Sequence, residues 1–144
     1  MLSKKAKYAL KAMLRLAASP DALVQAGDIA EQESIPKKFL DLIFFELRNE
    51  GFIEARRGKG GGYTLALAPK DITIGEIIRA VDGPLAPIAC ASINFYERCA
   101  DCKDERSCAI RKMMKQVRDA TSEILDNITL ADALGKPRLK QFTG

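Results

Sequence analysis

Apolar residues recur at three- and four-residue intervals through most of this chain, and the breaks in that rhythm mark its parts. Ala6, Ala9, Leu10, Met13 and Ala17 share one face of a predicted helix running to about Leu16, with Ser3 as N-cap and Leu2 as its staple. Ser19-Pro20-Asp21 closes it. A short amphipathic piece, roughly Ala26 to Glu33, leads to Ile35-Pro36, where proline takes the first position of a second helix. Its apolar face is Leu40, Ile43, Phe44 and Leu47, and Gly51 ends it. Helix, tight turn and helix form the helix-turn-helix pattern. Lys37, Lys38 and Asp41 lie off the apolar face, at the end of the second helix that reaches base edges when such a helix enters a major groove.

After Gly51 the period becomes extended. Phe52 to Arg57 and Tyr63 to Leu67 read as two strands around the glycine-rich tip Gly58-Lys59-Gly60-Gly61-Gly62, so a β-hairpin wing follows the second helix. Arg56, Arg57 and Lys59 are its cations. Its glycines would let backbone approach a minor groove, with Arg57 and Lys59 at phosphates or in a narrow groove. The tip lacks P-loop spacing and no helix start follows it, which argues against a nucleotide cradle. Thr73-Ile74-Gly75-Glu76 has the capping-box form and opens a helix with Ile74, Ile77, Ile78 and Val81 inward, stopped by Asp82-Gly83-Pro84.

Leu85 to Arg106 shows no sustained period, a long loop for so small a chain and therefore a functional candidate. From about Asp104 the helical rhythm returns through Ile110, Met113, Met114, Val117, Ala120, Ile124, Leu125 and Ile128. To Asn127 that helix would span roughly 30 Å. A lone winged helix cannot cover so long a stripe, so its expected partner is the same helix of a second chain, with packing inside the chain as the alternative. Thr129 to Asp132 would cap a last short turn, and Gly135 to Gly144 reads as a loose tail. The fold class that results is mostly α with a small β-hairpin wing: a winged helix-turn-helix domain over 1–83, a loop over 84–106, a dimerisation helix with its short turn over 107–134, and a tail over 135–144.

Charge refines this picture. The formal net charge is +4, and it lies in the first half: residues 1–70 hold 12 Lys/Arg against 8 Asp/Glu, while residues 71–144 hold 11 of each. That half should face an anionic partner. Lys4, Lys5 and Lys7 crowd the first turn of the first helix, where cations oppose the helix dipole, an arrangement that suits a nearby phosphate. No run approaches a membrane span, and lysines interrupt the apolar N-terminus, so no membrane partner or signal peptide is expected and a cytoplasmic location is the default.

All four cysteines, Cys90, Cys99, Cys102 and Cys108, fall in or at the end of the irregular loop, and the chain has no histidine. Gathered thiolates in a reducing compartment point to an iron–sulfur cluster or to zinc more than to structural disulfides. Cys99 and Cys102 make a zinc-type C-x2-C half-site that the other two could complete, and a dithiol switch at the same residues is a further alternative. An electron carrier or enzyme is disfavoured, because the chain offers no cofactor loop and no acid–base constellation.

The order of helix-turn-helix, the wing RRGKGGGY, the helix TIGEIIRAVDG, a cysteine loop and a long helix ending in ITLADAL resembles the Rrf-type winged-helix transcription regulators, the IscR, NsrR, RirA and CymR kind, from Leu2 to about Leu134. The resemblance implies a homodimer on a roughly palindromic double-stranded DNA operator, with Lys38, Phe39 and Asp41 where the family reads bases and Arg57 at the minor groove. Lys37, Lys59 and Tyr63 are candidate DNA contacts from the residue pattern itself. The resemblance also implies an iron–sulfur cluster, two-iron or four-iron, on three loop cysteines. Cys102 and Cys108 fit the family's last pair, and Cys90 or Cys99 its first. One branch of the family adds a loop histidine and another an acidic residue near the start of the first helix; here the chain has no histidine, and Lys7 stands at the acidic position. An all-cysteine site within one protomer is the expectation that remains. The leading functional expectation is a repressor that senses redox state, nitric oxide or iron.

Overall fold

The structure is a computed structural model that describes residues 2–135. Its elements in order are α1 (Lys4–Ala18), α2 (Ala26–Gln32), α3 (Lys37–Asn49), β1 (Ile53–Arg56), β2 (Gly62–Leu65), α4 (Ile74–Asp82), α5 (Ala109–Leu125) and α6 (Leu130–Leu134), with 3-10 turns at Pro69–Asp71 and Ala89–Ala91. The fold is mostly helical with a two-stranded antiparallel wing. The expected tail lies outside the described residues apart from Gly135.

Helix α1 forms the centre of the packing because its inward face alternates small and large residues. Ala6, Ala9 and Ala12 let neighbouring helices approach while Met13 and Leu16 fill the space behind them, all of them buried. The Ser3 hydroxyl accepts the Ala6 N–H at 3.0 Å as the predicted N-cap. Its backbone N–H reaches the Asp82 carboxylate at 3.2 Å, tying the start of α1 to the end of α4. In α3 the four predicted apolar positions, Leu40, Ile43, Phe44 and Leu47, are all buried. Pro36 is the residue before that helix rather than its first, with Lys37 leading.

The wing pairs Ile53 with Leu65 and Arg56 with Gly62. Tyr63 also exchanges both backbone hydrogen bonds with Val24, at 2.9 and 2.8 Å, which clamps the wing to the turn before α2. The glycines serve this packing. A Cβ on Gly61 would lie 2.2 Å from the Arg56 carbonyl oxygen, a clash no relaxation of a side chain can relieve. That position is glycine for the hairpin's own sake, whatever the wing touches.

Helix α5 starts at Ala109, five residues after the Asp104 from which helix was expected and one before Ile110, the first residue of its apolar rhythm. Asp104 is held in a local turn instead, its carboxylate accepting the Arg106 N–H at 3.1 Å, and such side-chain to backbone bonds compete with helix. The hydrogen bonds from the Ser107 side chain and then the Arg106 N–H keep the Asp104 carboxyl below the usual carboxylate range. None of the residues of α5 is buried, and Ile110, Met113 and Val117 are 60%, 51% and 45% exposed. The part of its stripe formed by Ile110, Met113 and Val117 is thus not covered by the described part of its own chain, while Met114, Ile124 and Leu125 are partly covered.

The far end of α5 is bound to the winged helix. Arg79 of α4 donates to both oxygens of Asp126, at 2.6 and 2.9 Å, and this hydrogen bonding raises the guanidinium's pKa further above its usual value. Ile74 N–H meets the Ile128 carbonyl at 2.8 Å, and Leu130 N–H meets the Ile72 carbonyl at 2.9 Å. The second capping box, Thr129 with Asp132, then opens α6, whose Leu130 is fully buried in the common core. The turn after the long helix therefore packs with the winged helix.

Gly75 makes this crossing close, since a Cβ there would come within 2.1 Å of an Asp126 carboxylate oxygen. Gly75→Ala should lower unfolding free energy by about 1–3 kcal/mol, the cost of overpacking. In an Asp126→Ala background the added cost should fall below about half of that, as read by a double-mutant cycle in urea; full additivity would refute the close crossing.

Candidate functional site

Two surfaces carry the residues singled out from the sequence. The first comprises α3 and the wing. Lys38, Arg56, Arg57 and Lys59 are exposed, and among the described residues none of them is in an ion pair. Lys37 and Asp41 are exposed as well but face each other at 3.3 Å, one helical turn apart. Lys4 is exposed on the first turn of α1.

Three of the expected DNA contacts have structural work inside the chain. Lys5 is paired with Glu46 of α3 at 2.7 Å, so its charge links α1 to α3. Phe39 is half-buried edge-on to Tyr8, ring centroids 5.5 Å apart, because the residue before Leu40 still borders the apolar face. Tyr63 lays its ring on Phe44 at 4.4 Å, where it covers the base of the wing. Sequence spacing placed these three near the surface but could not show their partners.

The second surface is the thiol loop. All four cysteines are free. Cys90 sits in the 3-10 turn and is buried, whereas Cys99 is exposed and Cys102 and Cys108 are intermediate. The Cys99 thiol donates to the Cys90 sulfur at 3.8 Å, and this hydrogen bond, followed by charge repulsion from Cys90, pushes the Cys99 pKa up. Cys108 is the N-cap of α5, its sulfur accepting the Arg111 N–H at 3.4 Å. No group of three or more cysteine, histidine or acidic side chains gathers to metal-binding distance among the described residues.

Two arginines that the sequence reading passed over hold this loop. Arg111 Nε donates to the Cys90 carbonyl at 2.9 Å, and Arg118 donates to the Ala91 carbonyl at 2.5 Å. They stand seven residues apart on one face of α5, and that spacing of two cations inside an apolar rhythm was the available signal. Arg111 thus touches Cys108 through its backbone and Cys90 through its side chain.

The arrangement of helix-turn-helix and wing, with exposed cations along both and an appended long helix, defines a winged-helix DNA-binding regulator. The Rrf2 family profile, described as an iron-dependent transcriptional regulator, matches residues 2–136. The chain belongs to the Rrf2 family. It is a transcriptional regulator and not an enzyme. It is 43% identical, over 97% of both chains, to an rrf2-like HTH-type transcriptional regulator of Rhodobacter capsulatus. It is 32% identical to the HTH-type transcriptional regulator IscR of Photobacterium profundum, over 99% of this chain and 80% of that one. Among solved structures it resembles CymR, the global cysteine regulator of B. subtilis, with a TM-score of 0.76 and 32% identity over 93% of this chain and 95% of that one. T. potens IscR gives a TM-score of 0.75 at 30% identity, over 93% and 85%. No helix among the described residues is long and apolar enough to cross a membrane.

Arg111→Ala removes one hydrogen bond to the loop, so amide exchange at Ala91 and Ser92 should quicken about five-fold, the effect of losing roughly 1 kcal/mol locally. Exchange in α3 should not change. Equal rates at Ala91 in variant and parent would show that the arginine does not hold the turn.

Proposed function

We propose that this regulator acts as a cytoplasmic homodimeric repressor of a roughly palindromic operator, and that an iron–sulfur cluster on its loop cysteines sets its affinity for DNA. The observation that carries this reading is the Arg111 junction: one residue at the first turn of α5 bonds Cys108 at the helix cap and the backbone of Cys90, whose sulfur already lies 3.8 Å from Cys99.

The residues fit the group by their chemistry and in part by their placement. Four thiols and no histidine make an all-sulfur donor set, as clusters use. The Cys90–Cys99 separation of 3.8 Å suits two thiolates on one metal, since bonds of about 2.3 Å at tetrahedral angles set sulfurs about that far apart. Cys102 and Cys108 would complete the site as the loop orders around the metal, because such sites rarely exist preformed. Bound there, the cluster supplies a cross-link that oxidants, nitric oxide or iron shortage can remove.

What the chain adds is the path from loop to DNA. Arg111 and Arg118 fix the Cys90 turn to α5, and Arg79 with Asp126 fixes the other end of α5 to α4. A change of loop conformation therefore acts on the first turn of α5. In a dimer seamed by Ile110, Met113 and Val117, that turn sets the separation of the two α3 helices. Switching requires that the two dimer geometries differ in operator affinity. Lys38 and Arg57 would meet the duplex from α3 and the wing, with Lys4 and Lys59 at its backbone.

Zinc is the second reading, because the same 3.8 Å pair suits a tetrahedral zinc centre equally well. Metal content separates the two. Anaerobically purified protein should be brown with matched iron and sulfide, and Cys102→Ala should lose that absorption and shift operator affinity by about 5–150-fold, the usual range of allosteric coupling. A colourless protein with one zinc per chain would replace the cluster with zinc, and retained colour with unchanged affinity in the variant would overturn the assignment. Separately, Val117→Asp should turn the dimer into a monomer in sedimentation while leaving the far-ultraviolet spectrum of the winged helix in place. A parent protein that sediments as a monomer would remove the dimer from the proposal.

A further inference from the structure

We infer that Phe45 and Leu42 of α3 read thymine methyl groups in the major groove, so that part of this regulator's operator specificity is apolar. The inference rests on the proposed placement of α3 in DNA and adds the contacts that would discriminate sequence there.

Leu40, Ile43, Phe44 and Leu47 fix the buried side of α3. With residues turning by about 100° each, Lys38, Leu42, Phe45 and Asn49 fall within about 40° of the line opposite that side. This line is the part of the helix farthest from the core, and half of it is large and apolar. Phe45 is 63% exposed and Leu42 49%, and neither belongs to the buried core. Scattered exposed apolar residues need no explanation, but two on adjacent turns of one helix line form a contact surface.

Charge decides what that surface meets. Both acids of α3 are in ion pairs, Asp41 with Lys37 and Glu46 with Lys5. Lys38 and Arg48 have no ion-pair partner among the described residues, and the wing adds Arg56, Arg57 and Lys59. An apolar line bordered by unpaired cations on two elements suits a polyanion that also offers apolar groups. Duplex DNA does so in its major groove, where each thymine presents a C5 methyl beside the phosphate rails. The groove is about 12 Å wide and admits a helix. Leu42 and Phe45 follow Lys38 by one and two helical turns, so a helix lying along the groove would bring all three to successive base steps. Lys38 would take a base-edge or phosphate contact, and the two apolar side chains would exclude water from the thymine methyls.

The test uses the full chain and a duplex site selected from a random pool. Each thymine is replaced in turn by deoxyuridine, which lacks only the C5 methyl and keeps base pairing. The parent protein should lose about four-fold in affinity at one or two thymines, the value of burying one methyl group. In Phe45→Ala or Leu42→Ala that loss should vanish at one of those positions and persist elsewhere, and Phe45→Leu should restore part of it. If the parent binds duplex but no thymine is methyl-sensitive, or if the same sensitivities survive in both alanine variants, the inference fails while DNA binding stands. Sedimentation of Phe45→Ala without DNA is the control: a changed oligomeric state would place the residue between copies of the chain and also overturn the inference. A parent that binds no duplex at all removes the proposed placement of α3 together with this reading.

Discussion

The structure depends on the crossing of α4 and α5 at Gly75. A helix whose residues are all partly exposed cannot hold a fixed direction through its own packing. Here the direction of α5 comes from its C-terminal end, where Arg79 grips Asp126 with two hydrogen bonds and the backbone of Ile74 and Ile128 closes beside them. An exposed ion pair alone contributes little. This one is bidentate, lies over a glycine with no side chain to hold the helices apart, and is followed by Leu130, which drives the chain back into the core. Anchored there, α5 acts as an arm about 26 Å long, rising about 1.5 Å per residue over its 17 residues, with the thiol loop at its free end.

That geometry separates two kinds of order. The winged helix gains its stability from burial around α1 and α3, and it needs nothing from the loop. Among the described residues the loop buries only Cys90, Ala91 and Ser92 and is otherwise held by surface contacts, those of Arg98, Arg111 and Arg118 with loop carbonyls among them, so its conformation is set by small free energies. A ligand that binds thiolates can change such a segment at modest cost, and the change arrives at the capped end of a helix whose other end is fixed. A metal held by Cys90 and Cys99 would take the place of the hydrogen bond that now joins their sulfurs.

The outer surface of α3 owes its character to what lies beneath it. Its acids are neutralised within the chain, Glu46 by Lys5 and Asp41 by Lys37, while Phe39 and Tyr63 close the core at its edges. These residues look like binding groups in the sequence because they are polar or aromatic on or beside the second helix of a helix-turn-helix. In the fold they remove competing charge and fix the helix on its support, and Lys38, Leu42 and Phe45 are left outward.

Periodicity and capping chemistry by themselves determined the helix-turn-helix, the wing, both capping boxes, the apolar faces of α3 and α4 and most of that of α1, where Ala12 and Leu16 are also buried and Leu10 only partly, because those features are written within a few residues of one another. The cysteine spacing marked the loop in the same way. The start of α5 was legible to within a few residues, but whether Asp104 to Arg106 belong to it was not, since an acid there suits a helix dipole or a local turn and the competing hydrogen bonds decide. Tertiary structure alone decided that Arg111 and Arg118 hold the Cys90 turn, that Arg79 meets Asp126 across Gly75, and that Lys5 belongs to Glu46. Each joins residues 21 to 47 positions apart, or two separate helices, so no local pattern records it. Such contacts exist only once the buried faces have brought the elements together.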